Sequence, residues 1–225
     1  MDLDTAYIAR VAPLLLRGAY VTLLISLAGI AAGILLGLVV ALLRLSRHRV
    51  LAAVTGLYIS FIRGTPFLVQ AMVVFYVVPA LLDTKVPALP AGIAALALNS
   101  AAFTGELLRA GIQSLPRGQS EAARALGLPA GRTLRRIILP QVFRILLPAL
   151  TNEFTVLVKG SSILSVITVV ELTRVGQQLV NTEYRPVETY LVVALLYFVI
   201  NFGINRAATA LQRRTGAGLQ GAAGW

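Results

Sequence analysis

From Ala19 to Leu43 the chain reads AYVTLLISLAGIAAGILLGLVVALL, a run without one charged side chain, closed by the basic RLSRHR. A helix crossing the hydrocarbon core of a bilayer needs about 20 mostly apolar residues. In that medium every backbone polar group must be satisfied inside the segment, so such a run has one stable solution, a membrane-spanning helix. Four further regions read the same way. Val50 to Leu82 starts as LAAVTGLYISFIR, is interrupted by Gly64, Thr65 and Pro66, and resumes as FLVQAMVVFYVVPALL. Pro66 removes a backbone donor, so a long bent helix and a short helix followed by a span both fit. The third span is expected from about Ala91 to Ile112, the fourth from about Val142 to Leu164 and the fifth from about Val187 to Leu211.

Composition excludes the main alternatives. With 57% hydrophobic and 13% charged residues in 225, the chain is neither a soluble domain nor a disordered one. A net charge of +11 would suit nucleic acid, but the arginines fall in short loops between apolar runs, so no nucleic-acid partner is expected. Without cysteine, and with His48 as the single histidine, thiolate chemistry and a paired-histidine metal site are excluded. Asp2 and Asp4 stand where a cleavable signal would be positive, which leaves targeting to the first span.

Placing the amino terminus outside puts Arg44, Arg47, Arg49, the arginines between 117 and 136, Arg213 and Arg214 inside. Arg10, Arg17, Lys85, Arg174 and Arg185 fall outside, ten against five, which is the bias expected of cytoplasmic loops. The expected architecture is an all-α integral membrane protein of about five transmembrane helices, its carboxyl terminus cytoplasmic. Residues 1–18 form an external or interfacial segment, 19–211 the membrane domain with a cytoplasmic elbow at about 117–141, and 212–225 a cytoplasmic tail that reads as disordered. Gly29, Gly33 and Gly37 recur every four residues and so offer a flat groove for another helix.

Polar groups inside spans are costly and mark function by default. Asn99 and Glu106 lie seven residues apart on nearly one face of the third span, with Arg109 three residues beyond. In the fourth, Asn152, Thr155, Lys159 and Ser162 fall at steps of three, four and three, with Glu153 about 100° around the helix. Lys159 in such a stripe points to a water-filled cavity or a paired carboxylate. The blander alternative is helix-to-helix glue, with Glu106 paired to Lys159 or Arg109. Gly160, Ser161 and Ser162 follow the lysine, and a local break there would free backbone groups for a ligand.

The elbow SEAARALGLPAGRTLRRIILP joins a short helix, stopped by Gly127, to a second that begins near Pro129. Small alanines, one acid and a compact turn suit insertion into a groove on a partner. Glu121, Ala122 and Ala123, three residues, Gly127, nine residues, Ile137, one residue, Leu139 and Pro140 match without a gap the EAA signature. The chain therefore resembles the type I importer permeases of the ABC superfamily. FIRGTPFLVQ, AAFTGELLRAGIQSLPRGQ and TNEFTVLVKGSSILSVITVVELT resemble its branch for polar amino acids, the histidine, arginine, glutamine and glutamate systems.

That resemblance implies a permease of a bacterial cytoplasmic (inner) membrane that moves a polar amino acid by alternating access. Glu121, Ala122, Ala123, Leu126 and Gly127 would form the coupling helix, seated in separate ABC ATPase subunits. The chain carries no GxxxxGK[ST] phosphate loop, so it is not itself an enzyme; no cofactor is expected in it, ATP and Mg being bound by the ATPase. A second permease, identical or a sister chain, and an extracytoplasmic solute-binding protein docking near Asp83, Lys85, Arg174, Glu183 and Arg185 are implied as partners, besides membrane lipid.

Carried over by motif, Asn99, Glu106, Asn152, Glu153, Lys159, Ser161 and Ser162 would lie near the substrate. Lysine with serine suits a carboxylate, and glutamate with asparagine carbonyls suits an ammonium. Many relatives have an acidic residue after the lysine where this chain has Gly160, which leans the reading toward acidic or neutral polar amino acids. Another small zwitterionic solute is the alternative. An ion-gradient-driven transporter would leave the elbow unexplained, and a membrane scaffold would leave the polar stripe idle.

Overall fold

The computed structural model describes residues 4–215. The described elements are helical throughout: α1 (Thr5–Arg44), α2 (Arg49–Gly64), α3 (Phe67–Leu81), α4 (Ala88–Ser114), α5 (Arg117–Ala125), α6 (Ala130–Ile167), α7 (Leu172–Glu183) and α8 (Pro186–Thr215). Helices α1, α4, α6 and α8 are each long and apolar enough to cross a membrane, and α2 with α3 makes a fifth candidate, bent by 112°.

Two boundaries differ from expectation. No break separates residues 5–18 from the first span, because α1 starts at Thr5, where the Asp4 carboxylate accepts the Tyr7 backbone N–H at 2.9 Å and caps it. The fourth span does not begin near Val142 but grows straight out of the elbow at Ala130. The tail beyond residue 215 lies outside the described residues.

Prolines account for the irregular turns. A π turn at Val73–Val77 in α3 contains Phe75, four residues before Pro79, and one at Leu134–Ile138 in α6 contains Arg136, four before Pro140. A proline ring clashes with that carbonyl and supplies no N–H, so the backbone widens by a residue per turn. The break between α2 and α3 is sharper: Thr65 and Pro66 are extended, at ψ 147° and 138°.

The core is built around α1 and α4, the most extensively packed pair. Gly29, Gly33 and Gly37 of α1 lie against Leu96, Ser100 and Thr104 of α4, so the expected glycine groove is occupied. A Cβ on Gly29 or Gly33 would stand 2.8 Å from Leu96 Cβ or 2.6 Å from Ser100 Cβ, which makes the close approach conditional on glycine. Thr104 Oγ1 donates across the seam to the Gly33 carbonyl at 3.0 Å. Helix α8 is peripheral, with the apolar side chains of Leu195, Phe198, Val199 and Phe202 exposed.

Candidate functional site

The other side of α4 is open. Asn99, Phe103, Glu106 and Ala110 follow one another at steps of four, three and four, and line cavities shared with α6. On α6 the matching row is Ala149, Asn152, Val156, Lys159 and Ile163. Because α4 and α6 run in opposite directions, Asn99 comes level with Lys159, and Glu106 with Asn152. The result is two cavities stacked along the groove. One, of about 410 Å³, is lined by Asn99, Phe67, Leu96, Val156, Lys159 and Ile163 among others. The second, of about 320 Å³, lies nearer the elbow and is lined by Arg63, Phe103, Glu106, Asn152 and Glu153 among others.

Each expected site residue has a definite place. Asn99 Nδ2 donates to Gln70 Oε1 at 2.8 Å, and Lys159 is exposed to its cavity, without an ion pair among the described residues. Glu106 is paired with Arg109 one turn away on the same helix, so the pair ties no two helices together as the glue alternative required, and Arg109 also donates to Gln113 Oε1 at 2.6 Å. Asn152 is exposed, while Glu153 is 9% exposed and has no lysine or arginine within ion-pair distance among the described residues.

The stripe of α6 is not the expected one. Thr155 turns into the protein, 8% exposed, its hydroxyl donating to the Thr151 carbonyl at 3.1 Å, and Val156 takes its place in the groove. Steps of 3-4-3 and 4-3-4 share Asn152 and Lys159 and differ only in which neighbour lies between, so periodicity alone does not choose.

Ser161 and Ser162 are also placed differently from one another. After Gly160 the helix tightens into the 3-10 turn Ser161–Ile167, which ends at Thr168 in the left-handed region. It does not unwind. Ser161 is fully buried, donating to the Val158 carbonyl at 2.8 Å, and so does not reach the groove; half-buried Ser162 donates to the Lys159 carbonyl at 2.7 Å.

Three residues that sequence reasoning missed shape the site. Arg63 and Phe103 line the elbow-side cavity, the guanidinium carbon 5.7 Å from the ring centroid. Gln70 sits at the α2–α3 break, 7% exposed. Pro66 cannot supply the N–H that the Ile62 carbonyl would receive four residues on, and Gln70 Nε2 supplies it instead, at 2.7 Å. The same nitrogen lies 3.0 Å from both the Thr65 carbonyl and Thr65 Oγ1. The one signal in the sequence is an amide isolated in an apolar run.

The elbow is a tightly closed turn. Leu128 N–H donates to the Ala123 carbonyl at 3.0 Å and Gly127 N–H to the Arg124 carbonyl at 2.9 Å, the paired bonds of a Schellman motif. Gly127 has φ +71°, a conformation that costs glycine little and other residues more. Glu121, Ala122 and Leu126 are exposed, Leu126 by 80%, whereas Ala123 is packed inward. Gln119 and Gln141 exchange amide hydrogen bonds of 3.0 and 2.8 Å, tying α5 to α6. A cavity of about 460 Å³, lined in part by Arg117, Ser120, Arg124 and Thr133, lies inside the hairpin.

At the opposite end, side chains expected to face a partner are tied internally. Glu183 pairs with Arg10 at 2.8 Å and Arg185 with Asp4 at 2.5 Å, both cations lying near the Tyr7 ring. The Tyr7 backbone N–H, and then Arg185, hold the Asp4 carboxyl below its ordinary range. Beneath them Glu171, fully buried, accepts from Thr22 Oγ1, Tyr197 OH and the backbone N–H groups of Thr173 and Arg174, joining α1, α7 and α8. No metal-binding cluster of three histidine, cysteine or acidic residues exists among the described residues.

Comparisons with known proteins agree over most of the chain. Residues 33–217 match the family described as binding-protein-dependent transport system inner membrane component. The arginine transport system permease protein ArtQ of Bacillus subtilis (strain 168) is 35% identical over 95% of this chain and 98% of its own length. The glutamine transport system permease protein GlnP of Escherichia coli (strain K12) is likewise 35% identical, covering 95% and 98%. A solved structure titled as an amino acid ABC transporter with histidines is 37% identical and superposes with a TM-score of 0.85, covering 95% of this chain and all of that one.

Proposed function

The chain belongs to the family of binding-protein-dependent transport system inner membrane components, and from that premise we propose how it carries its solute. It is the permease component of an amino-acid ABC importer, a multi-pass inner-membrane protein, and ATP hydrolysis belongs to a partner ATPase. Family membership implies a second permease beside it. In the proposal that mate is an identical or sister chain, and an external binding protein delivers the amino acid. ATP and magnesium stay on the ATPase.

The groove between α4 and α6 is the amino-acid path in this reading. What carries it is the set of polar side chains that two apolar helices turn into shared cavities, among them a Lys159 and a Glu153 that have no ion-pair partner among the described residues. Unpaired charges at such depth are costly unless water or a ligand meets them. Lys159 receives the substrate carboxylate; the Asn99 side-chain carbonyl, Asn152 and Glu153 offer acceptors to an ammonium; the Glu106–Arg109 pair shapes the wall, and Ser161, fully buried, takes no part. Two of these polar levels, one per cavity, allow a zwitterion to be handed along as the groove opens alternately to each side.

The elbow is the point of coupling. Glu121, Ala122 and Leu126 meet the ATPase cleft, Ala123 packs inward, and the Gly127 turn keeps the hairpin stiff enough to move α6 as one body, since α6 is continuous from Ala130.

A side chain that is acidic or neutral polar fits best, because Lys159 is followed by Gly160 in place of a carboxylate. The second reading is a cationic amino acid, favoured by the lack of a cation beside Glu153 among the described residues. The test is uptake into proteoliposomes with the partner ATPase and binding protein, across acidic, neutral and basic amino acids. Uptake is expected to require ATP and to stop with Gly127→Asp; transport that persists in either condition rejects the coupling assignment. Sugars or metal ions as the transported solutes would reject the amino-acid reading.

A further inference from the structure

We propose that Gln70 is a positioning residue that fixes the orientation of the Asn99 amide, and through it which end of an amino acid the outer cavity accepts; this rests on reading the groove as an amino-acid path. The chain of hydrogen bonds runs one way only. Three acceptors surround the Gln70 amide nitrogen: the Ile62 carbonyl at 2.7 Å, the Thr65 carbonyl at 3.0 Å and Thr65 Oγ1 at 3.0 Å. The Thr65 hydroxyl spends its proton on the Phe61 carbonyl, at 2.8 Å, so toward Gln70 it only accepts. Rotating the Gln70 amide by half a turn would set its oxygen against three oxygens, so the nitrogen is locked toward the break.

The Gln70 oxygen must then face Asn99 and needs a donor there. Asn99 provides Nδ2, at 2.8 Å, and its own carbonyl oxygen is left without a protein partner among the described residues, on a side chain that lines the cavity. Without Gln70 either end of the Asn99 amide could enter the cavity. With it the cavity holds one fixed acceptor beside one free cation, Lys159. That pairing is complementary to an α-ammonium and an α-carboxylate, the part common to all amino acids, and indifferent to the side chain.

The arrangement also ties recognition to shape. The groups that orient Gln70 are the orphaned carbonyls of the α2–α3 break, so the acceptor faces the cavity only while that 112° bend persists. Straightening the break would release Gln70, and with it Asn99.

The test measures equilibrium binding to the permease–ATPase complex without binding protein, using radiolabelled arginine, glutamine, glutamate and histidine, each against its analogue lacking the α-amino group. Wild type should prefer an amino acid over its deaminated analogue. Gln70→Met should erase about tenfold of that preference by weakening the amino acid alone. Asn99→Asp in the Gln70→Met background should restore it, because a carboxylate presents acceptors on both faces and needs no orienting; a merely structural role for Gln70 would not be rescued this way. Where Gln70→Met does not assemble, Asn99→Ala is read instead. It removes the acceptor while leaving Gln70 at the break, and should erase the same preference; a preference kept by Asn99→Ala would overturn the proposal. Equal weakening of amino acid and analogue by Gln70→Met, or an unchanged preference, would also overturn it. Wild type that binds no amino acid rejects the path itself.

Discussion

The two faces of α4 solve opposite problems with residues only one or two positions apart. Leu96, Ser100 and Thr104 face the glycines of α1, where side chains must be small or absent and Thr104 finds its partner across the seam. Asn99, Phe103 and Glu106 face the groove, where polar atoms are left toward open space. One face holds the helix pair together and the other leaves room for a solute. Stability and transport should therefore respond separately to substitutions on a single helix.

The largest expected effect is on the seam. Gly37→Leu drives a side chain into Thr104 and Gly105, and such overpacking costs about 3 kcal/mol or more, so the melting temperature of the purified permease should collapse. A variant that melts like wild type would break the comparison at its first point. Next, Lys159→Met on the groove side should cut uptake at least tenfold, the scale of a lost charged hydrogen bond, while thermal stability stays within about 0.5 kcal/mol of wild type. A melt that falls along with the uptake would mean the groove is structural too.

Smaller still is Glu106→Gln. Glu106 and Arg109 are each 28% exposed, so solvent screens the pair, and removing one charge should cost about 0.5 kcal/mol in a melt. Least of all, Asp4→Asn at the far end should leave uptake unaltered at neutral pH. Because the Tyr7 N–H and Arg185 lower the Asp4 pKa in the fold, its contribution is complete above the ordinary aspartate pKa of about 3.9 and is lost as pH falls through the lowered value. Acid melts of wild type and Asp4→Asn should converge below that point, and divergence there would reverse the sign.

How much was legible follows from range. Spans, elbow and glycine groove were readable because each is a local pattern whose physics is settled within a few turns: an apolar run, a left-handed turn at Gly127, a four-residue repeat. The site was readable in part. Asn99, Glu106, Asn152, Glu153 and Lys159 stand out as polar groups in apolar helices, and each lines one of the two cavities. Thr155 and Ser161 stand out by the same criterion, yet both bond to their own helix backbone and turn inward. Gln70 went unnoticed because its partners, Ile62 and Asn99, lie eight and 29 residues away.

The sequence by itself determined that this chain lives in a bilayer, where the chain must turn, and that a helix-turn-helix elbow closes at Gly127, since lipid and backbone geometry admit few alternatives to those patterns. Only the tertiary structure decided which polar residues share a cavity, which of two helical registers faces it, and how an amide at a proline break comes to hold another at the groove. Those outcomes depend on what neighbouring helices leave open, and no single segment contains that information.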